Sequence, residues 1–209
     1  MMNIFRKYWN WCCRFRYRKG YGVHSPSDFY LITSVIYEKL PYYAYEELGK
    51  LSHKSPLGRY REKVNRLLFR LVNHFQPRTM VELSENDGIS VRYMRAARPS
   101  MEYEFLACFD VDLALLDFEE SMQRLKTLDM LHISHTPGVH KIFEAAYPYF
   151  NEKTCLIVGN IHEDKEVEEW WKKIQEDERA RITFDLYDIG IVLFDPKRIK
   201  QNYIVNFSS

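Results

Sequence analysis

The chain has 209 residues, 46% of them hydrophobic, 28% charged and 15% aromatic, with only 8 Gly and 8 Pro. That is one domain, or one domain with an appendage, and enough apolar material for a sizeable core, which excludes a chain disordered throughout. Lys+Arg number 30 against 29 Asp+Glu, a formal charge of +1, which excludes a globally basic nucleic-acid binder.

The first 27 residues hold no acid. Arg6, Lys7, Arg14, Arg16, Arg18 and Lys19 alternate there with Phe5, Tyr8, Trp9, Trp11, Phe15, Tyr17 and Tyr21. Such an arm can dock its rings on the domain and keep its cations wet, or touch a membrane surface or a partner through residues 4–21. The aromatic and basic residues do not segregate on a helical wheel, which favours docking. The basic residues also interrupt any signal-peptide core, and no run reaches the roughly 18 apolar residues of a membrane span. Cys12, Cys13, Cys108 and Cys155 form no C-x-x-C pair. Together these point to a reducing, cytoplasmic setting.

Ser25 is a good N-cap and Pro26 a good first residue for a helix carrying Phe29, Ile32, Val35 and Ile36. A more polar stretch follows Tyr42, Tyr43 and Tyr45. Residues 59–75 predict a helix from the spacing of Val64, Leu67, Leu68, Leu71, Val72 and Phe75. From Thr79 the texture becomes that of a mostly parallel α/β sheet. Strands are predicted at Thr79–Leu83, Glu104–Phe109, Met130–Ile133, Cys155–Val158, Ile182–Leu186, Ile189–Phe194 and Tyr203–Phe207. Helices are predicted at Ile89–Ala97, Leu113–Thr127, 138–149 and Val167–Glu176. At least one of Trp170 and Trp171 should pack inward. The chain divides into an N-terminal arm and helical extension, 1–76, and a Rossmann-like domain, 77–209. Thr79–Leu83 is expected at the centre of the sheet, parallel to both of its neighbours.

Ligands of open α/β sheets sit beyond the carboxyl ends of the strands. Three such ends stand out. In Val81–Ser90 a strand turns into a helix at Gly88, with Asn86 or Asp87 as the expected cap. Asp110 and Asp112 follow the next strand, where an acid either grips a ribose or caps a helix. His132, His135, His140 and His162 cluster near two later strand ends, but no carboxylate sits at ligand spacing beside His132, so no zinc site is expected.

Gly22-Val23-His24-Ser25-Pro26, then Tyr42–Leu48, then Arg66–Val72 resemble a group of bacterial class I S-adenosylmethionine-dependent methyltransferase-like proteins, of O-methyltransferase type. Val81–Ser90 is similar to their first cofactor motif, E-x-G-x-x-x-G, and Ile182–Phe194 to their closing strands. The resemblance implies a Rossmann-like sheet with helices on both faces. It implies cofactor contacts at Glu82, Ser84, Gly88, Asp110 and Asp112, with His162 or His135 as general base in an active member. The departures fall on functional positions. Ser84 stands where the motif has its first glycine. Ser134, Gly159 and Asn160 stand where metal-using members carry aspartates or asparagine, so no metal is expected. Between Asp110 and Asp129 there is room for one helix only, so a strand and a helix of the usual sheet are missing. The expectation is a degenerate member that binds S-adenosylmethionine weakly or not at all and serves a protein or small-molecule partner. The alternatives are an active methyltransferase acting on a small-molecule or sugar oxygen, and a membrane-surface or partner-binding scaffold.

Overall fold

The structure, a computed structural model, describes residues 12–54, 60–85, 88–134, 136–162 and 165–207. Residues 4–11 of the arm, Asn86, Asp87 and His135 lie outside these. Helix α1 starts at Pro26, where the Ser25 hydroxyl accepts the Asp28 N–H, runs as α-helix to Tyr30 and widens to a π-helix over Leu31–Ile36. Helices α2 (Ala44–Lys54) and α3 (Glu62–Phe75) follow. The rest alternates: β1 (Thr79–Ser84), α4 (Ile89–Ala97), β2 (Glu102–Ala107), α5 (Val111–Leu125), β3 (Leu128–Ser134), α6 (Val139–Ala146), β4 (Phe150–Gly159), α7 (Lys165–Glu176), β5 (Ile182–Asp185), β6 (Ile189–Leu193) and β7 (Gln201–Ile204). No described helix is long and apolar enough to cross a membrane.

The strands form one seven-stranded sheet in the order β2-β1-β3-β4-β6-β5-β7. Strand β1 pairs in parallel with both β2 and β3, as expected, and β3 with β4. Strand β6 is antiparallel to β4 and β5, while β7 joins β5 in parallel. Strand β2 is an edge, which agrees with the single helix that fits between Asp110 and Asp129.

Strand side chains alternate between two faces. Met80, Met130, Cys155, Ile157, Ile191 and Phe184 meet the apolar stripes of α1 and α3. Val81, Leu83, Leu131, Ile133, Leu156 and Val192 meet α5, α6 and α7. The N-terminal helices therefore share a core with the sheet. Both Trp170 and Trp171 are buried against the second face.

Several boundaries differ from the sequence reading; β2, for example, is Glu102–Ala107 rather than Glu104–Phe109. The helix expected over 138–149 ends at Ala146 and continues as a 3-10 turn, Tyr147–Tyr149, around Pro148. Gly88 is the N-cap of α4, which spans Ile89–Ala97 as expected, while the caps expected at Asn86 or Asp87 lie outside the described residues. The last strand is Gln201–Ile204 rather than Tyr203–Phe207. The apolar alternation of the final residues misleads here: after Val205 bonds to the Asp185 carbonyl the chain turns back, with Phe207 N–H donating to the Val205 carbonyl. Val205 and Phe207 are buried as plugs of the core.

Buried acids hold segments near both ends of the described residues. Asp28 accepts from Arg198 and, at 3.1 Å, from the Tyr203 hydroxyl. Burial, then the Asp28 charge, push that phenol up to about 12. Arg14 is only 8% exposed and donates to Asp185 at 2.7 Å, and the Asn206 N–H donates to the Tyr17 carbonyl. The described part of the arm is thus docked on the domain.

Gly190 in β6 has no room for a side chain, because a Cβ there would lie 2.4 Å from the Trp171 ring. Gly190→Ala is expected to destabilise the chain by about 1–3 kcal/mol through overpacking. Urea denaturation checks this; an unchanged midpoint would mean that the ring moves aside freely.

Candidate functional site

The carboxyl ends of β1, β3 and β4 place Ser84, Ser134 and Gly159 side by side, since Ser84 is in register with Ser134 and Ile133 with Val158. One step deeper on the same face stand Glu82 and His132, also in register. Glu82 is 1% exposed and His132 fully buried. Burial of charge demands partners. The Tyr103 hydroxyl donates to Glu82 Oε2 at 2.7 Å, and His132 Nδ1 lies 3.3 Å from Glu82 Oε1. On its other side, His132 Nε2 is 3.3 Å from the Tyr60 hydroxyl. The result is a buried polar row, Tyr103–Glu82–His132–Tyr60, beneath the strand ends.

Tyr60 closes this face. Its hydroxyl sits so close over Gly159 that a Cβ at that position would be 2.0 Å away, with the Ser134 backbone 3.5 Å from the same point. Of the three positions that the resemblance matches to metal ligands, Gly159 is therefore covered by a phenol. Asn160 has φ 57°, in the left-handed region that asparagine tolerates. Among the described residues no three His, Cys, Asp or Glu side chains group as metal ligands.

The loops beyond β2 and β3 are tied together. The Cys108 N–H donates to the Ser84 carbonyl at 2.9 Å, and the Thr136 hydroxyl donates to the Cys108 carbonyl at 3.2 Å. Cys108 is fully buried, and burial raises its thiol pKa. Asp110 caps α5 by accepting the Asp112 and Leu113 N–H groups. Asp112 pairs with Lys141 at 2.8 Å. Both acids are exposed, and each already has a partner on this chain. A cleft of about 390 Å³ remains above β3 and β4; its charged lining is Glu85 and Glu166, with Thr136, Gly159 and Asn160 beside them.

His162 lies at the same end, beyond β4, but belongs to a separate cluster. Its Nε2 is 2.7 Å from Asp185 Oδ2, its ring stacks on Tyr187, and Arg14 donates to the other Asp185 oxygen. The same Nε2 lies 3.1 Å from Arg14 Nη2, so His162 sits between the guanidinium and the carboxylate. Burial raises the Asp185 pKa, but the hydrogen bonds from His162 and Arg14 outweigh it and bring the acid to about 2. The structure thus brings Glu82, Ser84 and Gly88 together along β1 and its turn, sets Asp110 and Asp112 at the start of α5, and puts His162 with Arg14 and Asp185. Sequence reasoning missed Tyr60, His132 as part of the row, and Thr136. Only a polar residue inside a buried strand, His132 between Leu131 and Ile133, signals the row in the sequence.

An S-adenosylmethionine molecule needs close approach at the turn after β1 and open space between the loops after β2 and β3. Ser84 stands at that turn, and the Thr136–Cys108 hydrogen bond joins those two loops.

No protein-family model matches the sequence, and no curated protein matches it. Solved structures do. The O-methyltransferase TomG from Streptomyces achromogenes, in complex with S-adenosylmethionine, is 14% identical, covers 74% of this chain and 91% of its own, and superposes with a TM-score of 0.50. A methyltransferase from Geobacter sulfurreducens is 11% identical over 76% of this chain and 92% of its own, with a TM-score of 0.54. The methyltransferase PaMTH1 from Podospora anserina, bound to S-adenosylhomocysteine, is 7% identical over 82% and 96%, with a TM-score of 0.53. With its seven-stranded sheet between two layers of helices, the chain has the Rossmann-like fold of the class I methyltransferases.

Proposed function

We propose that this is a methyltransferase-like protein whose site is degraded, and which binds S-adenosylmethionine weakly or not at all. The observation that carries this reading is the Tyr60 hydroxyl lodged over Gly159, at a place where the metal-using members that the sequence resembles hold a ligand. Support also comes from the Cys108–Thr136 tie between the loops and from the other commitments of Asp110 and Asp112. The protein then works by binding a protein or small-molecule partner rather than by turnover.

Calorimetric titration of the whole chain with S-adenosylmethionine and S-adenosylhomocysteine tests this. The expected dissociation constant is about 1 mM or weaker, equivalent to roughly −4 kcal/mol. Ser84→Gly should recover only part of the affinity, because it removes one obstruction of several. Micromolar binding that Asp110→Ala or Asp112→Ala abolishes would overturn the proposal in favour of an active enzyme on a small-molecule or sugar oxygen.

A further inference from the structure

A second cavity, of about 650 Å³, lies on the outer side of α3, against the described part of the N-terminal arm and the final residues. Its volume falls within the range of roughly 300–1,000 Å³ that small-molecule pockets occupy. Six cations from three separate segments line it: Arg18 and Lys19 of the arm, Lys39 after α1, and Lys63, Arg66 and Arg70 of α3. The two carboxylates in the same lining, Glu38 and Glu62, are already engaged: Glu62 pairs with Arg66, and Glu38 accepts the Tyr42 hydroxyl at 2.9 Å. Among the described residues no carboxylate reaches Lys19, Lys39, Lys63 or Arg70 at ion-pair distance.

Arg70 is a fixed charge in this wall. It is 6% exposed, and its guanidinium donates to the Val35 carbonyl at 2.7 Å and the Ile36 carbonyl at 3.0 Å. Lys63 donates to the Phe207 carbonyl. Burial lowers the Lys63 ammonium, and the Arg61, Arg70 and Lys39 charges lower it further against the pull of Asp188, leaving it at about 8. Six cations gathered by folding against two carboxylates leave an excess of positive charge that repels itself, and an entering anion relieves that cost.

We propose that this cavity binds a small molecule bearing a phosphate ester or diphosphate, with its body against Ile36, Tyr37 and Phe207. A single carboxylate would answer too few of the cations. A phosphate group brings close to two charges and several acceptor oxygens, which Arg and Lys side chains meet with short, charge-assisted bonds. The same chemistry is offered by a soluble phosphorylated metabolite and by a lipid headgroup.

Titrating the whole chain with sodium pyrophosphate at low salt tests the proposal. Saturable one-site binding is expected, weakened about tenfold or more by Lys39→Gln and by Lys63→Gln. Lys39 is exposed, so that variant should keep the thermal midpoint of the parent. Affinity should also fall as pH rises through about 8, as Lys63 loses its proton. Lys172→Gln, which alters an exposed cation on α7, should leave binding unchanged. Phosphatidate vesicles distinguish the sources: binding that pyrophosphate displaces assigns a lipid headgroup, and pyrophosphate binding without vesicle binding assigns a soluble ligand. Absence of saturable pyrophosphate binding, or binding that both lysine variants leave intact, would overturn the proposal.

Discussion

Replacing Arg14 by alanine is expected to destabilise the folded chain by about 3–5 kcal/mol, because it strips one partner from a buried charge. The side chains of Arg14 and Asp185 are 10% and 7% exposed, and they meet at 2.7 Å. Asp185 lies at the end of β5, where it also receives the Tyr187 N–H at 2.9 Å and His162. Without the guanidinium, water reaches the carboxylate poorly, and its remaining partners among the described residues are the imidazole and the Tyr187 N–H. Arg16→Ala, an exposed neighbour in the arm, should change stability by no more than about 0.5 kcal/mol. The pH dependence has a definite sign. The folded Asp185 titrates at about 2, below its ordinary 3.8, so the native state holds fewer protons than the unfolded one in that window. Its stabilisation is fully present above about pH 4 and is lost as pH falls towards about 2. A depression of that size corresponds to about 2 kcal/mol. In Arg14→Ala the folded acid should titrate higher, and the acid limb of stability should move towards neutrality. Urea denaturation of both proteins across the acid range measures each effect. Equal midpoints for Arg14→Ala and the parent would show that the arm adds nothing to the core.

The contrast between these two arginines explains how far the sequence can be read. Periodicity reveals elements that local order generates. The short apolar run Thr79–Leu83 and the three-and-four spacing of α3 placed those elements correctly, and between Asp110 and Asp129, where only one helix is expected, there is one helix and β2 is an edge. The turn residues Ser25 and Pro26 announced the start of α1. Partners far apart in the chain leave no such trace. Arg14 meets Asp185 across 171 positions, and Tyr60 meets His132 across 72. Nothing in the arm's composition separates Arg14, which is buried, from Arg16 and Arg18, which are not. The candidate site is therefore half legible. Its strand-borne residues Glu82, Ser84, Ser134 and Gly159 follow from the motif and register. The Tyr60 roof comes from the start of another element and appears only after folding.

Gly159→Asp is expected to fail alone and to succeed only when Tyr60 is removed. Its first side-chain atom would lie 2.0 Å from the Tyr60 hydroxyl, a separation that no pair of atoms sustains. Either the phenol leaves or the β4 end shifts, and overpacking of this kind costs about 1–3 kcal/mol before the desolvation of a new carboxylate is counted. Adding Ser134→Asp to Gly159→Asp in the parent should therefore yield a destabilised chain with no magnesium affinity. Tyr60→Ala changes the outcome. It opens the space above Gly159 and Ser134, at the cost of the Tyr60 contact with His132 Nε2. In the triple variant two carboxylates stand on adjacent strands next to Asn160, the kind of oxygen donors that a hard divalent cation takes. Added magnesium should raise its thermal midpoint, because a ligand that binds only the folded state stabilises it by mass action. The parent, Tyr60→Ala alone and the double aspartate variant should show no such shift. Full stability of Gly159→Asp with Tyr60 in place would mean that the roof is not rigid. Stoichiometric magnesium in the parent would remove the structural ground for reading this site as degraded.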